Sequence, residues 1–131
     1  SVAAPERPSA PALFDRATEA RRRGRSGEAR VLYRSLQQSH PESEEARLSL
    51  AVLARMHLDS GDARAALEGF DAYLATGDRA LREDALVGRA LCHERLGRTS
   101  DAARAWRALL TAYPGSAYAR TARERLGGGL P

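Results

Sequence analysis

Two histidines come closest, by type and spacing, to a pattern that could carry chemistry. His57 and His93 each follow an alanine by three residues, after Ala54 and Ala90, so they occupy equivalent positions in two similar segments. A pair of imidazoles could bind a metal ion or exchange protons. Both activities also need partner groups that converge in space, and no carboxylate or thiol has a spacing that brings it to either ring. We therefore predict that both histidines are packing residues.

The other reactive side chains give no stronger pattern. Cys92 is the single cysteine, which excludes an internal disulfide and a zinc site built from several cysteines. It precedes His93, but neighbours on a helix point about 100° apart, so a Cys–His dyad is not expected. His40 precedes Pro41 and is expected to lie exposed in a loop. Residues 127–129 are glycines that follow a predicted helix, whereas a phosphate-binding loop precedes one. We predict no catalytic residue, no metal ligand, no cofactor and no enzymatic activity.

The basic character of the chain comes from arginine alone. All 21 basic residues are Arg, against 17 acidic residues, and the net charge is +4. Lys, Asn and Ile, which have the codons richest in A and T, do not occur in the chain, and this indicates a high-GC genome. The arginines are interleaved with Asp and Glu, as on solvated helix faces. They form no basic stripe with stacking aromatics, so nucleic-acid binding is not expected.

Residues 21–25, Arg-Arg-Arg-Gly-Arg, form the densest positive run. At the end of a helix such cations offset the helix dipole, and they could equally contact an acidic partner. No run approaches the roughly 20 apolar residues that a membrane-spanning helix needs, so direct membrane insertion of this segment is not expected. The chain begins at Ser1 without an initiator Met, as would a domain excised from a longer protein with a signal or anchor upstream.

Proline and glycine mark the two ends of the structured region. Residues 1–9 form a Pro/Ala-rich linker, and residues 127–131 form a flexible tail after the last helix. No stretch alternates with a period of two for long enough to predict a sheet. The sequence therefore predicts an all-α fold. We place its helices at residues 10–23, 26–39, 43–59, 63–75, 79–96, 99–112 and 116–126.

The predicted helices repeat in matched pairs. Five columns recur in three copies, at spacings of 37 and 36 residues. In order along each copy they hold Leu, Ala, Gly, Ala and an aromatic residue: Leu13, Ala17, Gly24, Ala29 and Tyr33; Leu50, Ala54, Gly61, Ala66 and Phe70; Leu86, Ala90, Gly97, Ala102 and Trp106. A fixed period in this range indicates a stacked helical repeat.

Each column has a physical reason. The glycine ends the first helix of a pair in a left-handed turn that a β-carbon disfavours. The two alanines are small because the paired helices cross closely there, and the aromatic residue fills the gap between one pair and the next. Pro41 and Pro114 end second helices. Side chains that cap helix starts are predicted at Ser43, Asp62, Asp78, Thr99 to Asp101, and Ser116.

The pattern defines one domain over residues 10–126. Its parts are repeats of about 10–42, 43–78 and 79–115, and a capping helix at 116–126. In that last helix Tyr118, Ala122 and Leu126 share one face, and charged residues lie away from it. An apolar inner side and a polar outer side are what the terminal helix of a stacked repeat needs.

The columns resemble the tetratricopeptide repeat family. The resemblance is carried by Leu13-x-x-Arg16-Ala17 with Ala29-x-x-x-Tyr33, and by the equivalent residues of the other two copies. It covers about residues 10–126 and implies a right-handed α-solenoid of three helix pairs plus a C-terminal capping helix. It also implies a module that binds other proteins. The period of 36–37 residues exceeds the family norm of 34, so a less regular superhelix is expected.

The stretch from Tyr113 to Leu126 also resembles a narrower group. Its pattern, Tyr-Pro-Gly-Ser-x-Tyr-Ala-x-x-Ala-x-x-x-Leu, is similar to repeats of bacterial envelope proteins, namely BamD-type lipoproteins, YbgF-type proteins, and domains that follow FecR-like or anti-sigma regions. This resemblance, together with the Pro/Ala-rich lead-in, implies a bacterial cell-envelope or regulatory complex, with the periplasm favoured over the cytoplasm.

In this family the first helix of each pair lines a concave groove, which is therefore the predicted partner-binding site. Its residues mix aliphatic, aromatic and arginine side chains: Phe14, Thr18, Arg21, Leu48, Val52, Arg55, Leu58, Val87, Leu91 and Arg95. Such a surface suits an amphipathic helix or extended peptide that carries some acidic groups. The family's Lys and Asn clamp for a terminal carboxylate is not expected, since the chain has neither residue type.

A second function stays open on the sequence alone. The repeats could stack against other copies through one end or through the convex face, which would make the chain a self-assembly module of a larger envelope or regulatory protein. A monomer is the favoured state.

Overall fold

The structure is a computed structural model that describes residues 6–127. In this range the chain forms helices and no strand, so the predicted all-α fold is confirmed. The helices are α1 (Ala10–Arg22), α2 (Ser26–Ser39), α3 (Glu44–Asp59), α4 (Ala63–Ala75), α5 (Arg82–Arg95), α6 (Thr99–Ala112) and α7 (Ala119–Arg125). Residues 1–5 of the predicted linker and 128–131 of the predicted tail lie outside the described residues.

The chain divides into two compact units at a boundary inside α3. Unit 1 runs to Ser49 and unit 2 begins at Leu50. Unit 1 therefore contains α1, α2 and the first part of α3, whereas unit 2 contains the rest of α3 and helices α4 to α7.

The core of unit 1 lies between α1, α2 and the start of α3. It is formed by buried apolar side chains with two partly buried ones against them: Ala10, Leu13, Leu36 and Ala46, with Phe14 and Leu32. Ala17, Ala29 and Tyr33, the repeated small and aromatic columns, are each 0% exposed. Because both alanines are fully buried, they fit the prediction that the two helices of the pair cross closely at these positions.

Polar groups at the edges of unit 1 are paired. The Ser9 hydroxyl caps α1 by accepting from the Ala12 amide at 3.2 Å. His40 is half-buried, and its Nε2 donates to the carbonyl oxygen of Pro8 at 2.7 Å, which ties the lead-in to the turn after α2. The expectation of an exposed loop histidine is therefore wrong, because a carbonyl 32 positions earlier in the chain is its partner.

Ser43 and Ser49 show how α3 begins. The Ser43 hydroxyl accepts from the Ala46 amide at 3.0 Å, which confirms the predicted cap. Ser49 is fully buried, but its hydroxyl donates to the Ala46 carbonyl at 2.7 Å and accepts from Gln37 Nε2 at 3.0 Å. This buried hydroxyl therefore has partners on both sides, as burial requires.

The repeated glycines end the first helices as predicted. Gly24, Gly61 and Gly97 have φ angles of 74°, 90° and 72°, in the left-handed region. The residue after each glycine donates to a carbonyl five positions earlier in the chain, for example Arg25 to Ala20 at 2.8 Å. These bonds satisfy helix-end carbonyls and give each first helix the same termination.

Unit 2 has a core in two layers. The first packs α4 against its neighbours through buried residues such as Leu58, Phe70 and Tyr73. Helices α4 and α5 pack closely at Gly88 of α5. A β-carbon added at this glycine would overlap the Phe70 ring of α4. The glycine is therefore a packing requirement of this aromatic column.

The second layer joins α5, α6 and α7 around Trp106. The Trp106 side chain is 1% exposed, and its Nε1 donates to Glu94 Oε2 at 2.9 Å. The same carboxylate oxygen lies 2.9 Å from Arg125 Nε. Glu94 therefore links α5 to both α6 and the last helix with one half-buried carboxylate, and charge-assisted bonds of this kind are stronger than neutral ones.

Helix α5 begins at Arg82, three residues after the predicted start at residue 79 and within the about two to four residues to which helix ends can be placed from sequence. The Tyr73 hydroxyl donates to Asp78 Oδ2 at 2.5 Å and accepts from the Leu81 amide at 2.7 Å. Asp78 also accepts from the Ala80 amide at 3.1 Å. These bonds hold residues 78–81 in a turn, because they offer the backbone an alternative to the helix.

Three of the predicted caps are wrong. Helix α5 begins after Leu81 with no side-chain cap, so Asp78 does not cap it. Helix α6 begins at Thr99, after Arg98, with no side-chain cap, so Thr99 to Asp101 lie inside its first turn. Helix α7 begins at Ala119 and not at residue 116. The Ser116 hydroxyl accepts from the Tyr118 amide at 3.0 Å, which forms a local turn before the helix. The predicted caps at Ser43 and Asp62 hold.

Candidate functional site

In unit 1 two of the four predicted groove residues, Phe14 and Thr18, contact one tyrosine. The Phe14 ring meets Tyr33 edge to face, with centroids 5.9 Å apart and planes at 62°. Thr18 Oγ1 lies 3.2 Å from the Tyr33 hydroxyl, on the next turn of α1. Leu48 is half-buried and Arg21 is exposed. Phe14 and Thr18 are thus held in place by a buried side chain while part of their surface stays open, as a preformed contact surface requires.

In unit 2 the α3 part of the predicted groove is Val52 and Arg55. Val52 is half-buried and Arg55 is exposed. Arg55 Nε lies 3.1 Å from Asp59 Oδ1, one turn on, with both side chains more than half exposed. An ion pair this exposed is worth only about 0.2–1 kcal/mol, so the guanidinium can exchange Asp59 for a partner carboxylate at small cost.

Leu91 and Arg95 carry the same surface on α5. Leu91 is half-buried and Arg95 is exposed. Arg95 Nη1 donates to the carbonyl oxygen of Leu58 at 3.2 Å, in the last turn of α3. A cation suits this position because the carbonyl end of a helix carries partial negative charge. Arg95 therefore joins the ends of α3 and α5, a contact that helical periodicity did not predict.

Leu58 and Val87 do not offer the surface that the sequence assigned to them. Each is 2% exposed: Leu58 belongs to the core layer around Phe70, and Val87 to the layer around Trp106. We withdraw both from the groove, because a side chain without exposed surface has nothing to give a partner. Helical spacing gives the direction of a side chain but not its depth.

The chemically reactive side chains lie apart from this surface or are shielded. His57 is 8% exposed and buried in α3. Cys92 is fully buried, and desolvation, followed by the charge of Asp71, raises the pKa of its thiol to about 11. The thiolate is the nucleophilic form of cysteine, so Cys92 is protonated and inert at neutral pH.

His93 differs from His57. It is half-buried, and its Nδ1 is buried without a hydrogen-bond partner among the described residues. It lines a pocket of about 280 Å³ between α4, α5 and α6, with charged side chains that the sequence did not assign to any binding site: Asp71, Arg89, Asp101 and Arg104. The sequence contains a signal for part of this site, because the spacing of four residues between Arg89 and His93 places them on one face of a helix. The other residues come from two further helices, which no local pattern connects.

Two of the four arginines in the positive run at the end of α1 form ion pairs. Arg23 Nε lies 2.7 Å from Glu19 Oε1, and Arg25 Nη1 lies 3.8 Å from Glu28 Oε2. All four side chains are about half exposed or more. This arrangement favours the interpretation of a solvated helix end, with Arg21 left as the groove residue of the run.

Residues 6–127 hold neither a metal-binding cluster nor a membrane-spanning helix. No group of three or more His, Cys, Asp or Glu side chains there could hold a metal ion. No helix in the same range has both the length and the apolar character to cross a membrane.

Comparison with known protein families gives one match. Residues 14–57 and 52–117 each match the family model described as tetratricopeptide repeat, and together they span more than half of the chain. No curated protein gives a significant match.

Proposed function

Because the chain belongs to the tetratricopeptide repeat family, whose repeats generally mediate protein–protein interaction, we propose that it is a non-enzymatic module that binds a partner peptide or helix. The proposed contact surface is the face of the first helices: in unit 1 Phe14, Thr18, Arg21 and Leu48, and in unit 2 Val52, Arg55, Leu91 and Arg95. The family assignment fits the succession of seven helices in the described residues.

This proposal is supported mainly by the combination of half-buried aliphatic side chains and exposed arginines on that face. Val52 and Leu91 are half-buried, so they are fixed by the core yet keep apolar surface open to contact. Arg55 and Arg95 are exposed one turn further along the same helices. Half-buried aliphatic side chains beside arginines match a partner with apolar anchors and acidic groups on one face.

We place this module in a bacterial cell-envelope or regulatory complex, with the periplasm favoured. The support is the likeness of residues 113–126 to repeats of envelope proteins and the Pro/Ala-rich composition of residues 1–9. Recovery of the natural partner from host extract, with the chain as bait, tests this assignment. A partner confined to the cytoplasm would contradict it.

Two substitutions test the contact surface once a partner is in hand. Val52→Glu places a charge on the half-buried apolar site, and Arg55→Glu reverses the charge offered to an acidic partner. We expect each to weaken binding at least tenfold, which corresponds to about 1.4 kcal/mol. The replacement at 55 sets Glu against Asp59 one turn away, and a like-charge pair on a helix costs only about 0.2–0.5 kcal/mol in stability.

Matched controls make the same changes elsewhere. Val31 is 67% exposed on the second helix α2, and Arg107 is exposed on α6. Val31→Glu and Arg107→Glu should leave affinity within about twofold, while far-ultraviolet circular dichroism confirms helicity in all four variants. If both groove variants bind as tightly as the unaltered chain, the first-helix face is not the site.

Light scattering across a dilution series separates this proposal from self-assembly. We expect a mass near 14.2 kDa at every concentration. A mass that rises with concentration would favour the self-assembly function.

A further inference from the structure

The pocket between α4, α5 and α6 lies on a different side of α5 from the proposed groove. At about 100° per residue, the mean direction of Arg89 and His93 lies about 160° away from that of Leu91 and Arg95. The pocket side chains come from three helices of unit 2: Asp71 of α4, Arg89 and His93 of α5, and Asp101 and Arg104 of α6. A ligand here would therefore not compete directly for the first-helix face.

Arg89 has unused hydrogen-bonding capacity in this pocket. It is half-buried, and within residues 6–127 it makes no hydrogen bond or ion pair. A guanidinium has five N–H donors and no acceptor, and removing it partly from water without a partner is unfavourable. A planar acceptor such as a carboxylate or phosphate satisfies two of these donors at once.

His93 provides a second open group on the same face, one turn away. Its Nδ1 is one of two buried side-chain nitrogen or oxygen atoms without a hydrogen-bond partner in the described part of the chain. The other is the Nε of Arg30, a residue that does have an interaction partner. In the tautomer that carries its hydrogen on Nδ1, the imidazole donates to an acceptor beside Arg89.

The other charged side chains of the pocket indicate whether a carboxylate or a phosphate is the better ligand. Arg104 and Asp101 pair with each other, so they add little net charge. Asp71 is exposed at the rim, where solvent screens it. One free guanidinium with a carboxylate nearby favours a singly charged anion over a dianionic phosphate. A volume of about 280 Å³ lies below the usual 300–1,000 Å³ of pockets for drug-sized molecules, which fits a small group.

We propose that this pocket binds a carboxylate group, with Arg89 as its anchoring cation and His93 Nδ1–H as a second donor. The carboxylate comes either from a small organic acid or from an acidic side chain of a partner protein. This proposal does not depend on the first-helix face, so the proposed pocket and the proposed groove can be tested separately.

Titration followed by nuclear magnetic resonance tests the site. The probes are sodium acetate, which carries a single negative charge, and the capped peptide acetyl-Gly-Glu-Gly-amide, at ionic strength held constant with NaCl. We expect saturable shifts at backbone amides around residues 89–93 and 101–105 and at the His93 ring nitrogens, with a Kd on the order of 1–10 mM. Tighter binding of acetate points to a small acid, and tighter binding of the peptide points to a partner side chain; either result supports the site.

Three variants locate the binding. Arg89→Gln should weaken it about tenfold, and Asp71→Asn should strengthen it about two- to fivefold by removing a repelling charge. Arg107→Gln, at an exposed arginine of α6 outside the pocket, should stay within about twofold. Absence of saturation to 50 mM, or equal losses in Arg89→Gln and Arg107→Gln, overturns the proposal. If Arg89→Gln unfolds the chain, an unchanged affinity in Asp71→Asn overturns it instead. Val52→Glu should leave this titration unchanged, which separates the pocket from the groove.

Discussion

Gly88 of α5 packs tightly against the ring of Phe70 of α4, and Gly88→Ala tests how tightly this contact is set. A β-carbon at residue 88 would stand 2.7 Å from Phe70 Cε1 and nearer still to Cε2 and Cζ. Carbon atoms prefer a separation of about 3.5–4.0 Å, so the ring would have to move by about 1 Å. Phe70 is 2% exposed and has little room to do so.

Two opposing effects set the magnitude. Overpacking of a filled core costs about 1–3 kcal/mol, and the overlap with three ring atoms argues for the upper end. Alanine in place of glycine inside a helix gains about 0.5–1 kcal/mol through backbone entropy. We therefore expect Gly88→Ala to lower the free energy of unfolding by about 2 kcal/mol. With a urea m-value of about 1–3 kcal/mol/M, the unfolding midpoint should fall by about 1 M.

The assay is urea unfolding followed by circular dichroism, with two companions. Gly27→Ala is the matched control, since a β-carbon there would meet no atom within 4 Å and the residue lies in α2. It should leave stability unchanged or raise it by a few tenths of a kcal/mol. In a Phe70→Leu background the shorter side chain relieves the overlap, so Gly88→Ala should cost at least about 1 kcal/mol less.

Two results would refute this reasoning. If Gly88→Ala is as stable as the unaltered chain, the contact is not tight. If Gly88→Ala loses the same free energy in both backgrounds, the loss has a cause other than the Phe70 ring.

Two further predictions follow from single hydrogen-bonded groups. Glu94→Gln removes the charge shared by Trp106 and Arg125, so amide exchange in α7 should accelerate at least fivefold while α4 stays protected; equal acceleration in both helices would contradict a local role. Burial and then the bond to Asp78 raise the pKa of Tyr73 to about 12. A pKa raised above its unfolded value of about 10 stabilises the fold below pH 10, and this contribution, on the order of 2 kcal/mol, is lost as pH rises from about 10 to 12. Tyr73→Phe should flatten that part of the stability–pH profile, and an unchanged slope would contradict the assignment.

The fold could be predicted because its determinants are local and repeated. Gly24, Gly61 and Gly97 each need a left-handed backbone, and their φ angles confirm the turns that the spacing predicted. The start of α5 could not be predicted in this way. It depends on the Tyr73 hydroxyl, whose partner Leu81 lies eight residues away across a turn.

The candidate site could be predicted only in part, for the same physical reason. Spacing placed Val52 and Arg55 on one face of α3, and the structure leaves surface on both. It also put Leu58 on that face, yet Leu58 is buried, since the neighbouring α4 covers it. Burial and the pocket around Arg89 depend on which helices pack together, and a period along one helix does not contain that information.

The most direct test of the account is the affinity of the natural partner for two valine variants with the same change of chemistry. Val52→Glu, on the proposed contact face, should weaken binding at least tenfold and keep the helical content of the unaltered chain. Val31→Glu, on α2, should bind within about twofold of the unaltered chain. Equal affinity of both variants, or a larger loss in Val31→Glu, would contradict the claim that the chain binds its partner through the first-helix face.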